Sequence, residues 1–597
     1  MSNRTMQFAC LAVILMTFFV GFCGSSAFAT MPGCDKASMQ ALAPTAPWPL
    51  TITSATDTAA ASPTPEYCDV VGYVTTNGEG AGPGQAGFEI GIPAPGSWNG
   101  KYLFLGNGGL GTGLSQFPGA SPQGLQKGYA VATTDMGHPS TSPFYGNWAL
   151  LAPGVPNTPA LIDFYYRATH QTALAGRQFV KAYYDKYNNG RGKISRSYYQ
   201  GCSTGGRQGL VEAQRYPDDF DGLIAGDPVA GFAHQAPSQT GAEFGFLRPC
   251  AAGGLSASWI PPTLLPAIDA AVYAKCDPNH VGVIQNPPAC SFDPKSLLCN
   301  TSNAGSCLTE DQVNGLTRYA GAFFDERGNV VMPGYPLTDL NRFDGGFPIM
   351  TSGLSQPSCD RNNPEPWLPG TPPGLPVHWG ASDGTFPYFV FLTESYNQNQ
   401  FPIEFFKNKG VIEEWALKLN DLRTNLGDAT YPELMHRFVA GDGKMILYHG
   451  FSDPLITPYQ TVQLYKDMAT VTRGGYPRLQ ENVRLFMVPG MLHCGGGPGP
   501  NAFDMLTALE NWVEDGIAPD AITATGGQTP KCSAMSMPLC KFPEVATYKG
   551  SGNICSATNW SCDPHNRDLL QLGYDGHLAG LPYSYLNDRG ECHEDGH

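Results

Sequence analysis

Positive charge is scarce in this chain. Its 35 Lys and Arg residues are outnumbered by 51 Asp and Glu, which gives a formal net charge of −16 at pH 7. Proteins that bind nucleic acids or anionic lipid surfaces do so through clusters of basic side chains. We therefore expect neither nucleic acid nor a membrane surface to be a partner of this protein.

Long apolar runs are absent after the N-terminus, where the run from Phe8 to Phe22 is short for a bilayer span. Arg4 precedes this run, and the small-residue stretch Ala27-Phe28-Ala29 follows it. This order is typical of a secretory signal peptide, which we predict over residues 1–29. An uncleaved membrane anchor is the alternative. We expect the mature protein to be secreted or periplasmic.

Clustered cysteines are also lacking. None of the 17 cysteines stands in the CxxC spacing of zinc sites, so disulfides in an exported protein explain them better. Cys10 and Cys23 fall in the predicted signal peptide, which leaves 15 of the 17 in the mature chain. Because 15 is odd, at least one thiol stays unpaired, and the candidates are Cys555 and Cys592.

Strand and helix patterns alternate along two parts of the chain. Helical patterns run from Leu161 to Tyr187 and from Ala502 to Asp515. The strand patterns are Val70 to Val74, Phe88 to Ile92, Lys101 to Leu105, Gly128 to Asp135, Gly222 to Gly226, Lys444 to Tyr448 and Val483 to Val488. Such alternation predicts an α/β fold with parallel strands. The Pro-, Ala- and Thr-rich stretch 30–65 is predicted to be a loosely structured lead-in.

Between these two parts, residues 229–438 show no regular spacing of strands and helices. They are rich in Pro, Gly and Asn and contain six cysteines. We interpret this segment as a disulfide-stapled lid. It would interrupt a single catalytic domain formed by residues 30–228 and 439–597.

One short stretch, GCSTGG at residues 201–206, places Ser203 between glycines. It follows the strand-like run Ile194 to Gln200 and precedes the helix-forming run Arg207 to Tyr216. In a nucleophile elbow, a tight turn from strand to helix exposes the serine hydroxyl, and small neighbours avoid a Cβ clash. We therefore predict a nucleophile elbow at Ser203, with a chance glycine-serine loop as the alternative.

Two later strands end close to residues that could activate this serine. Asp453 follows the strand 444–448, and His493 follows the strand 483–488. Because functional groups gather beyond the C-terminal ends of parallel strands, both should lie near Ser203. A serine attacks when a neutral imidazole accepts its proton and a carboxylate orients that imidazole. We predict that Ser203 is the nucleophile, His493 the base and Asp453 the orienting acid, in the chain order of α/β-hydrolases.

Other residues compete for these roles. Asp453 could be an ordinary turn aspartate, and His138, His170 and His449 are alternative bases. Because His449 ends a strand close to Asp453, we interpret it as a residue that supports the site or lines the substrate pocket. Ile456 is a second candidate for that pocket.

The amides that would stabilise a tetrahedral oxyanion come from two places. The first is Thr204, directly after the nucleophile. The second is the loop after the strand 101–105, with sequence Gly-Asn-Gly-Gly, where Asn107 and Gly108 are the candidates. This loop lacks the Lys-Ser/Thr of a P-loop and the glycine spacing of a dinucleotide site, so we do not expect phosphate binding.

A pair of cysteines flanks the predicted triad. Cys202 directly precedes Ser203, and Cys494 directly follows His493. If the serine and histidine are in hydrogen-bond contact, their neighbours can approach to the distance that a disulfide needs. We predict a Cys202–Cys494 bridge, with two unrelated buried thiols as the alternative.

The three site segments, GCSTGGRQG at 201–209, YHGFSDP at 448–454 and PGMLHCGGGPG at 489–499, resemble those of the tannase and feruloyl esterase family. This family includes mono(2-hydroxyethyl) terephthalate hydrolases. The resemblance extends from Cys68 to Cys562 and implies an α/β-hydrolase core with a large lid and the triad above. It also implies disulfides Cys34–Cys68, Cys276–Cys290, Cys299–Cys307 and Cys540–Cys562. A Cys250–Cys359 pair is a further suggestion, and Cys532 is left unassigned.

Two departures from the family limit what the resemblance implies. Many members have a calcium loop with several aspartates in the lid, but the corresponding stretch 276–282 keeps only Asp277. We therefore expect no metal or other cofactor. The terephthalate-ester hydrolases hold a free carboxylate with a lid arginine, yet the comparable segment 387–406 contains no Arg or Lys.

We therefore expect hydrolysis of esters of phenolic aromatic acids, such as ferulic or caffeic acid, through an acyl-enzyme. The aromatic-rich segment Trp379 to Phe406 is predicted to supply a flat pocket for the acyl group. Galloyl esters and terephthalate monoesters are alternative substrates. A secreted serine peptidase and an inactive binding protein are alternatives of a different class.

Overall fold

The computed structural model describes residues 31–564 except 46, 141–142, 291, 302–304, 325–329, 364–365, 368–374, 394–396 and 401–426, together with 584–586 and 592–594. The predicted signal peptide therefore lies outside the described residues. Within the described part of the chain, no helix has both the length and the apolar character needed to cross a membrane.

A nine-stranded mixed sheet forms the centre of the molecule. Its strands are β1 (Leu50–Thr58), β2 (Tyr67–Gly78), β3 (Ala81–Pro93), β4 (Lys101–Leu105), β5 (Ala130–Thr134), β6 (Arg196–Cys202), β7 (Gly222–Gly226), β8 (Lys444–Gly450) and β9 (Val483–Val488). Their order is β1-β2-β3-β5-β4-β6-β7-β8-β9. The strands β1, β2 and β3 pair antiparallel, β3 pairs antiparallel with β5, and all pairs from β5 to β9 are parallel. The predicted α/β fold is confirmed.

Helices cover both faces of this sheet. In β8, the neighbouring residues Ile446 and Leu447 belong to separate apolar clusters on opposite faces. Phe179 of the long helix Ala168–Tyr187 belongs to the cluster of Leu447, and Leu509 of the helix Met505–Asp515 belongs to that of Ile446. Strands buried on both faces carry continuous apolar runs, which is why β4, β5, β7 and β8 were recognisable from sequence.

In the described part of the chain, helices form the two outer layers and much of the segment 229–438. The α-helices are Lys36–Gln40, Phe117–Gln126, Thr158–Ile162, Ala168–Tyr187, Thr204–Arg215, Phe232–Leu247, Leu265–Cys276, Glu310–Ala320, Val377–Thr385, His436–Ala440, Pro458–Val471, Gly475–Leu479 and Met505–Asp515. The π-helical turns are Asp163–Arg167, Pro348–Ser352 and Phe386–Val390. The predicted helix 161–187 is thus interrupted by a π-turn, in which Asp163 and Arg167 form a buried ion pair of 2.6 Å.

Small antiparallel hairpins lie outside the main sheet. They pair Leu150–Ala152 with Val155–Pro156, Phe323–Phe324 with Val330–Met332, Ala521–Gly526 with Met535–Cys540, Val545–Tyr548 with Trp560–Asp563, and Ser584–Leu586 with Cys592–Glu594. All nine strands of the main sheet come from outside the segment 229–438. The division of the chain into a core and a lid stays a prediction.

The lead-in 30–65 is more ordered than the sequence indicates. It forms the helix Lys36–Gln40 and the edge strand β1, so the prediction of a loosely structured segment is wrong. Only Leu50 and Ile52 of β1 are fully buried in the core, and the rest of the strand is Thr-, Ser- and Ala-rich. Two apolar residues give too weak a period to recognise, and pairing with β2 supplies the missing stabilisation.

The structure contains the five expected disulfides and one more. They are Cys34–Cys68, Cys202–Cys494, Cys276–Cys290, Cys299–Cys307 and Cys540–Cys562, with Cys532–Cys555 as the sixth. The prediction that Cys555 is an unpaired thiol is therefore wrong. Cys250 and Cys359, suggested as a pair, are both free thiols.

Candidate active site

Ser203 lies at a sharp turn between β6 and the helix Thr204–Arg215. Its φ of 64° and ψ of −123° place a non-glycine residue in a strained conformation. Glycine is required on both sides, because a Cβ on Gly201 would lie 2.6 Å from the backbone of Gly205. A Cβ on Gly205 would in turn lie 3.1 Å from the carbonyl oxygen of Asn107. The predicted elbow geometry is present, and it presents the serine hydroxyl above the end of the sheet.

The three residues proposed as a triad form one chain of hydrogen bonds. His493 Nε2 lies 2.9 Å from Ser203 Oγ, and His493 Nδ1 lies 2.7 Å from Asp453 Oδ2. Each residue follows a different parallel strand, β6, β8 or β9, so the common edge of the sheet brings them together. This arrangement can remove a proton from the serine hydroxyl and stabilise the imidazolium that results.

Asp453 is completely buried and held by four donors. Its Oδ1 accepts the backbone amides of Leu455 at 2.8 Å and Ile456 at 3.0 Å. Its Oδ2 accepts from His493 and also lies 3.2 Å from Nε2 of His449. Burial alone would raise the pKa of this carboxyl, but the two imidazoles outweigh burial and hold its pKa well below the ordinary value.

The basicity of His493 follows from the same contact. Burial by itself lowers the pKa of the imidazole, but the charge of Asp453 and its hydrogen bond raise the pKa above the ordinary value of 6.5. Asp227 adds a weaker effect in the same direction. Such a histidine is a stronger base than a free imidazole, as abstraction of a serine proton requires.

His449 lies behind Asp453 and is fully buried. Its Nε2 faces two acceptors, Asp453 Oδ2 and the carbonyl oxygen of Ile456 at 3.0 Å, so Nε2 must carry the proton. Its Nδ1 lies 2.8 Å from the hydroxyl of Thr461. His449 does not line the pocket that contains Ser203, so only the supporting role among our two interpretations fits the structure.

The other two histidines do not contact Ser203. His138 stacks on Trp148 with ring centroids 3.7 Å apart, and burial lowers its pKa to about 3. The Nδ1 of His170 lies 2.5 Å from Asp219. Neither is placed to act as the base.

Sequence reasoning missed one member of this cluster, Asp227. It follows β7, is fully buried, and accepts the backbone amide of Gly450 at 2.8 Å. Its Oδ1 lies 3.5 Å from Nε2 of His449. Burial raises its pKa to about 6, and the charge of Asp453 adds to this effect while the two imidazoles oppose it. Its position one residue after a buried parallel strand was the signal that could have identified it.

The Cys202–Cys494 disulfide joins the turn that carries Ser203 to the loop that carries His493. Its Cα atoms are 6.0 Å apart across a sequence separation of 292 residues. The bridge connects the residue before Ser203 to the residue after His493. It therefore constrains the distance over which the proton moves.

The predicted oxyanion loop reaches the elbow, but two of its amides are already engaged. The amide of Asn107 donates to Gln208 Oε1 at 2.9 Å, and the amide of Gly108 donates to Asn107 Oδ1 at 2.8 Å. The structure therefore contradicts the prediction that the amides of Asn107 and Gly108 are the oxyanion donors. The amides of Gly109 and Thr204 donate no hydrogen bond within the described part of the chain. Thr204 Oγ1 donates to the carbonyl oxygen of Gly109 at 2.7 Å, which joins the two segments.

An apolar pocket opens beside Ser203. It is lined by Gly109, Leu110, Pro143, Phe144, Ser203, Thr204, Val229, Phe232, Gln235, Ala236, Gln239, Ala381, Thr385, Leu455 and Ile456. Ile456 thus lies where it was predicted. None of these lining side chains is charged, among the residues that the structure describes.

The described part of the segment Trp379 to Phe406 does not supply the aromatic rings of the pocket wall that we predicted. Its part of the lining is Ala381 and Thr385, whereas Trp379, Phe386 and Phe389 are buried in the core. The aromatic rings on the pocket wall come from Phe144 and Phe232 instead. Residues 394–396 and 401–406 of that prediction lie outside the described residues.

The chain is similar to known proteins over most of its length. A family model described as tannase and feruloyl esterase matches residues 68–563. An uncharacterized esterase of Xanthomonas campestris pv. campestris is 32% identical over 559 residues, covering 86% of this chain and 88% of the relative. The mono(2-hydroxyethyl) terephthalate hydrolase of Piscinibacter sakaiensis is 30% identical over 554 residues, covering 85% and 86%. The crystal structure of feruloyl esterase B from Aspergillus oryzae shares the fold, with a TM-score of 0.67 at 23% identity, covering 88% of this chain and 100% of that one.

Proposed function

Because the chain belongs to the tannase and feruloyl esterase family of carboxylic ester hydrolases, we propose that it hydrolyses esters of phenolic aromatic acids through an acyl-enzyme on Ser203. The observation that carries this proposal is the hydrogen-bonded chain Ser203–His493–Asp453 at the mouth of an uncharged, partly aromatic pocket.

The first half of the reaction forms the acyl-enzyme. Neutral His493 accepts the proton of Ser203 through Nε2 while Oγ attacks the ester carbonyl carbon. Asp453 keeps the proton of His493 on Nδ1 and stabilises the imidazolium. The alcohol then leaves with the proton that His493 carries.

The second half releases the acid. A water molecule takes the place of the alcohol, and His493 deprotonates it as it attacks the acyl carbon. Collapse of the second tetrahedral intermediate returns the proton to Ser203. The enzyme is then restored with neutral His493.

Two backbone amides stabilise the oxyanion in both halves. Thr204 supplies the first, and we assign the second to Gly109 in place of Asn107 and Gly108. Both residues line the pocket beside Ser203, and their amides are not consumed elsewhere in the described chain. An oxyanion between them would also benefit from the positive end of the helix Thr204–Arg215.

The pocket favours a flat, uncharged acyl group. Phe144 and Phe232 offer aromatic surface, while Leu455 and Ile456 offer aliphatic surface. A free carboxylate would be buried here without a cationic partner among the described lining residues, which is costly. Feruloyl and related hydroxycinnamoyl esters therefore fit better than a terephthalate monoester, whereas galloyl esters remain a second candidate because they too are uncharged.

A substrate panel tests this proposal. Methyl ferulate, chlorogenate, methyl gallate, a terephthalate monoester, an aliphatic ester and a peptide are compared by kcat/KM. We expect the hydroxycinnamoyl esters to be the best substrates, with the terephthalate monoester at least about tenfold slower. Preference for aliphatic esters would refute the aromatic acyl group, and preference for the peptide would refute ester specificity.

No metal or other cofactor takes part in this proposal. In the stretch that corresponds to the family's calcium loop, Asp277 is the single carboxylate, and its Oδ2 already accepts the amide of Gly282 at 2.6 Å. Calcium requires six or more oxygen ligands, which this donor set does not provide. The six disulfides are consistent with our proposal that the protein is secreted or periplasmic.

We expect His449 to act as a positioning residue for Asp453. A His449→Leu variant removes one charge-assisted hydrogen bond, worth about 1.5–3 kcal/mol, and should lower kcat/KM by about 10- to 100-fold. Without this donor, Asp453 attracts the proton of His493 more strongly, so the acidic limb of the pH profile should move to higher pH. The loss of His449 also raises the pKa of Asp227, and a protonated Asp227 no longer raises the pKa of His493. This effect opposes the shift, but Asp227 acts on His493 less strongly than Asp453 does.

A His449→Gln variant serves as the matched control, because its amide can still donate to Asp453. It should retain more activity than His449→Leu and show a smaller shift of the acidic limb. If both variants lose activity but neither shifts the acidic limb of the pH profile, His449 contributes to packing and does not position Asp453.

A further inference from the structure

Two free thiols, Cys250 and Cys359, lie side by side at the end of a pocket-lining helix. Cys359 Sγ lies 3.3 Å from the carbonyl oxygen of Leu247, the last residue of the helix Phe232–Leu247. Cys250 Sγ lies 3.8 Å from the carbonyl oxygen of Cys359. The mechanism proposed above uses neither thiol.

The backbone holds the two segments in register. Leu255 forms an isolated antiparallel bridge with Ser358, and the amide of Cys359 donates to the carbonyl oxygen of Gly254 at 2.8 Å. Cys250 itself bridges Ser256 in the same small arrangement. The two cysteines are therefore brought together by local backbone pairing and not by chance contact of long side chains.

The two thiols differ in access, and the buried thiol is a weak acid. Cys250 is exposed and Cys359 is buried. Burial raises the pKa of the Cys359 thiol to about 12, and the neighbouring Cys250 thiol adds to this effect. A thiolate is the attacking species in disulfide exchange, so Cys250 is the thiol that an external reagent can reach and use.

We propose that Cys250 and Cys359 form a redox-active pair, in which Cys250 reacts with a small disulfide such as oxidised glutathione and Cys359 then resolves the adduct. The Cys250 thiolate attacks one sulfur of the reagent and releases one molecule of reduced glutathione. Cys359 loses its proton to solvent, attacks Cys250 Sγ and releases the second. Two protein thiols are thus oxidised to one disulfide, and one glutathione disulfide is reduced to two thiols.

The bridge would tether the C-terminal end of the helix whose N-terminal half lines the substrate pocket. The helix Phe232–Leu247 contributes Phe232, Gln235 and Gln239 to the pocket wall, and its last carbonyl contacts Cys359. Closure of a loop of 109 residues limits the unfolded chain, so oxidation raises the melting temperature. The pair does not touch the Ser203 chain, so this inference is independent of the proposed function.

The experiment uses the full protein in buffers of increasing oxidised to reduced glutathione ratio. Free thiols are then alkylated under denaturing conditions, which expose Cys359, and the digested protein is mapped by mass spectrometry without reduction. We expect a peptide that links Cys250 to Cys359, together with a higher melting temperature than the reduced pair shows. Cys202–Cys494 should stay bridged throughout and serves as the internal control.

Two variants separate the roles of the thiols. Cys359→Ser should accumulate a stable glutathione adduct on Cys250, whereas Cys250→Ser should leave Cys359 unmodified because it is buried. The proposal is overturned if both thiols of the unaltered protein are alkylated after the oxidant, or if a glutathione adduct persists on Cys250 without a bridge. The map of the unaltered protein decides the matter even where a variant does not fold.

Discussion

Replacement of Ser203 by alanine should lower kcat for ester hydrolysis by about 10⁶-fold, as expected when the nucleophile of a serine triad is removed. Without Oγ, no covalent intermediate forms, and His493 has no hydroxyl proton to accept. The oxyanion amides and the pocket are left intact, so KM should change little. The measurement is steady-state hydrolysis of the best ester of the panel by Ser203→Ala and the unaltered protein.

Ser195→Ala is the matched control, because the hydroxyl of Ser195 donates to the carbonyl oxygen of Gly100 at the protein surface. It should retain full activity, and both variants should keep the melting temperature of the unaltered protein within a few degrees. A slow ester should also acylate the unaltered protein on Ser203, with a mass increase equal to the acyl group, and leave Ser203→Ala unmodified. Substantial turnover by Ser203→Ala would refute the covalent mechanism.

The sequence predicts that Ser203, Asp453 and His493 come together, because each follows a strand that is recognisable on its own. Buried parallel strands such as β7 and β8 give continuous apolar runs, and the residues just beyond them converge by topology. Cys202 and Cys494 add a second constraint, since a bridge between them requires that their neighbours meet. The strands themselves are recognised from neighbouring residues, so this part of the prediction needs no knowledge of contacts between distant segments.

The parts that could not be predicted depend on contacts between distant segments. The amides of Asn107 and Gly108 are withdrawn from the oxyanion site by side chains, one of them Gln208, about one hundred residues away. Trp379, Phe386 and Phe389 turn into the core, and the pocket wall receives Phe144 and Phe232 in their place. Side-chain orientation in such loops has no period in the sequence, so only the structure shows it.

The pairing of Cys532 with Cys555 illustrates the same limit. Sequence spacing leaves many pairings open when 15 cysteines remain in a chain. The resemblance to a family assigns only the pairs that its members share. The sixth bridge follows from the packing of the C-terminal hairpins, which no local pattern encodes.

The Asp453→Asn variant should lower kcat by about 10⁴-fold while the protein stays folded. The Oδ1 of Asp453 accepts two backbone amides, from Leu455 and Ile456, so the oxygen of an asparagine must remain on that side. Its NH₂ group then faces His493 Nδ1 and His449 Nε2. His493 can accept from this group only as the tautomer with the proton on Nε2, which cannot take the proton of Ser203.

The pH profile of Asp453→Asn provides the sharper test. The charge of Asp453 raises the pKa of His493, so its removal should move the acidic limb of kcat/KM to lower pH. His449→Leu should move the same limb to higher pH, because there the carboxylate keeps its charge and loses a competing donor. Opposite shifts in the two variants would show that His449 and His493 share one carboxylate. Shifts in the same direction would show that His449 acts on His493 by another route, through Asp227 or through a change in packing.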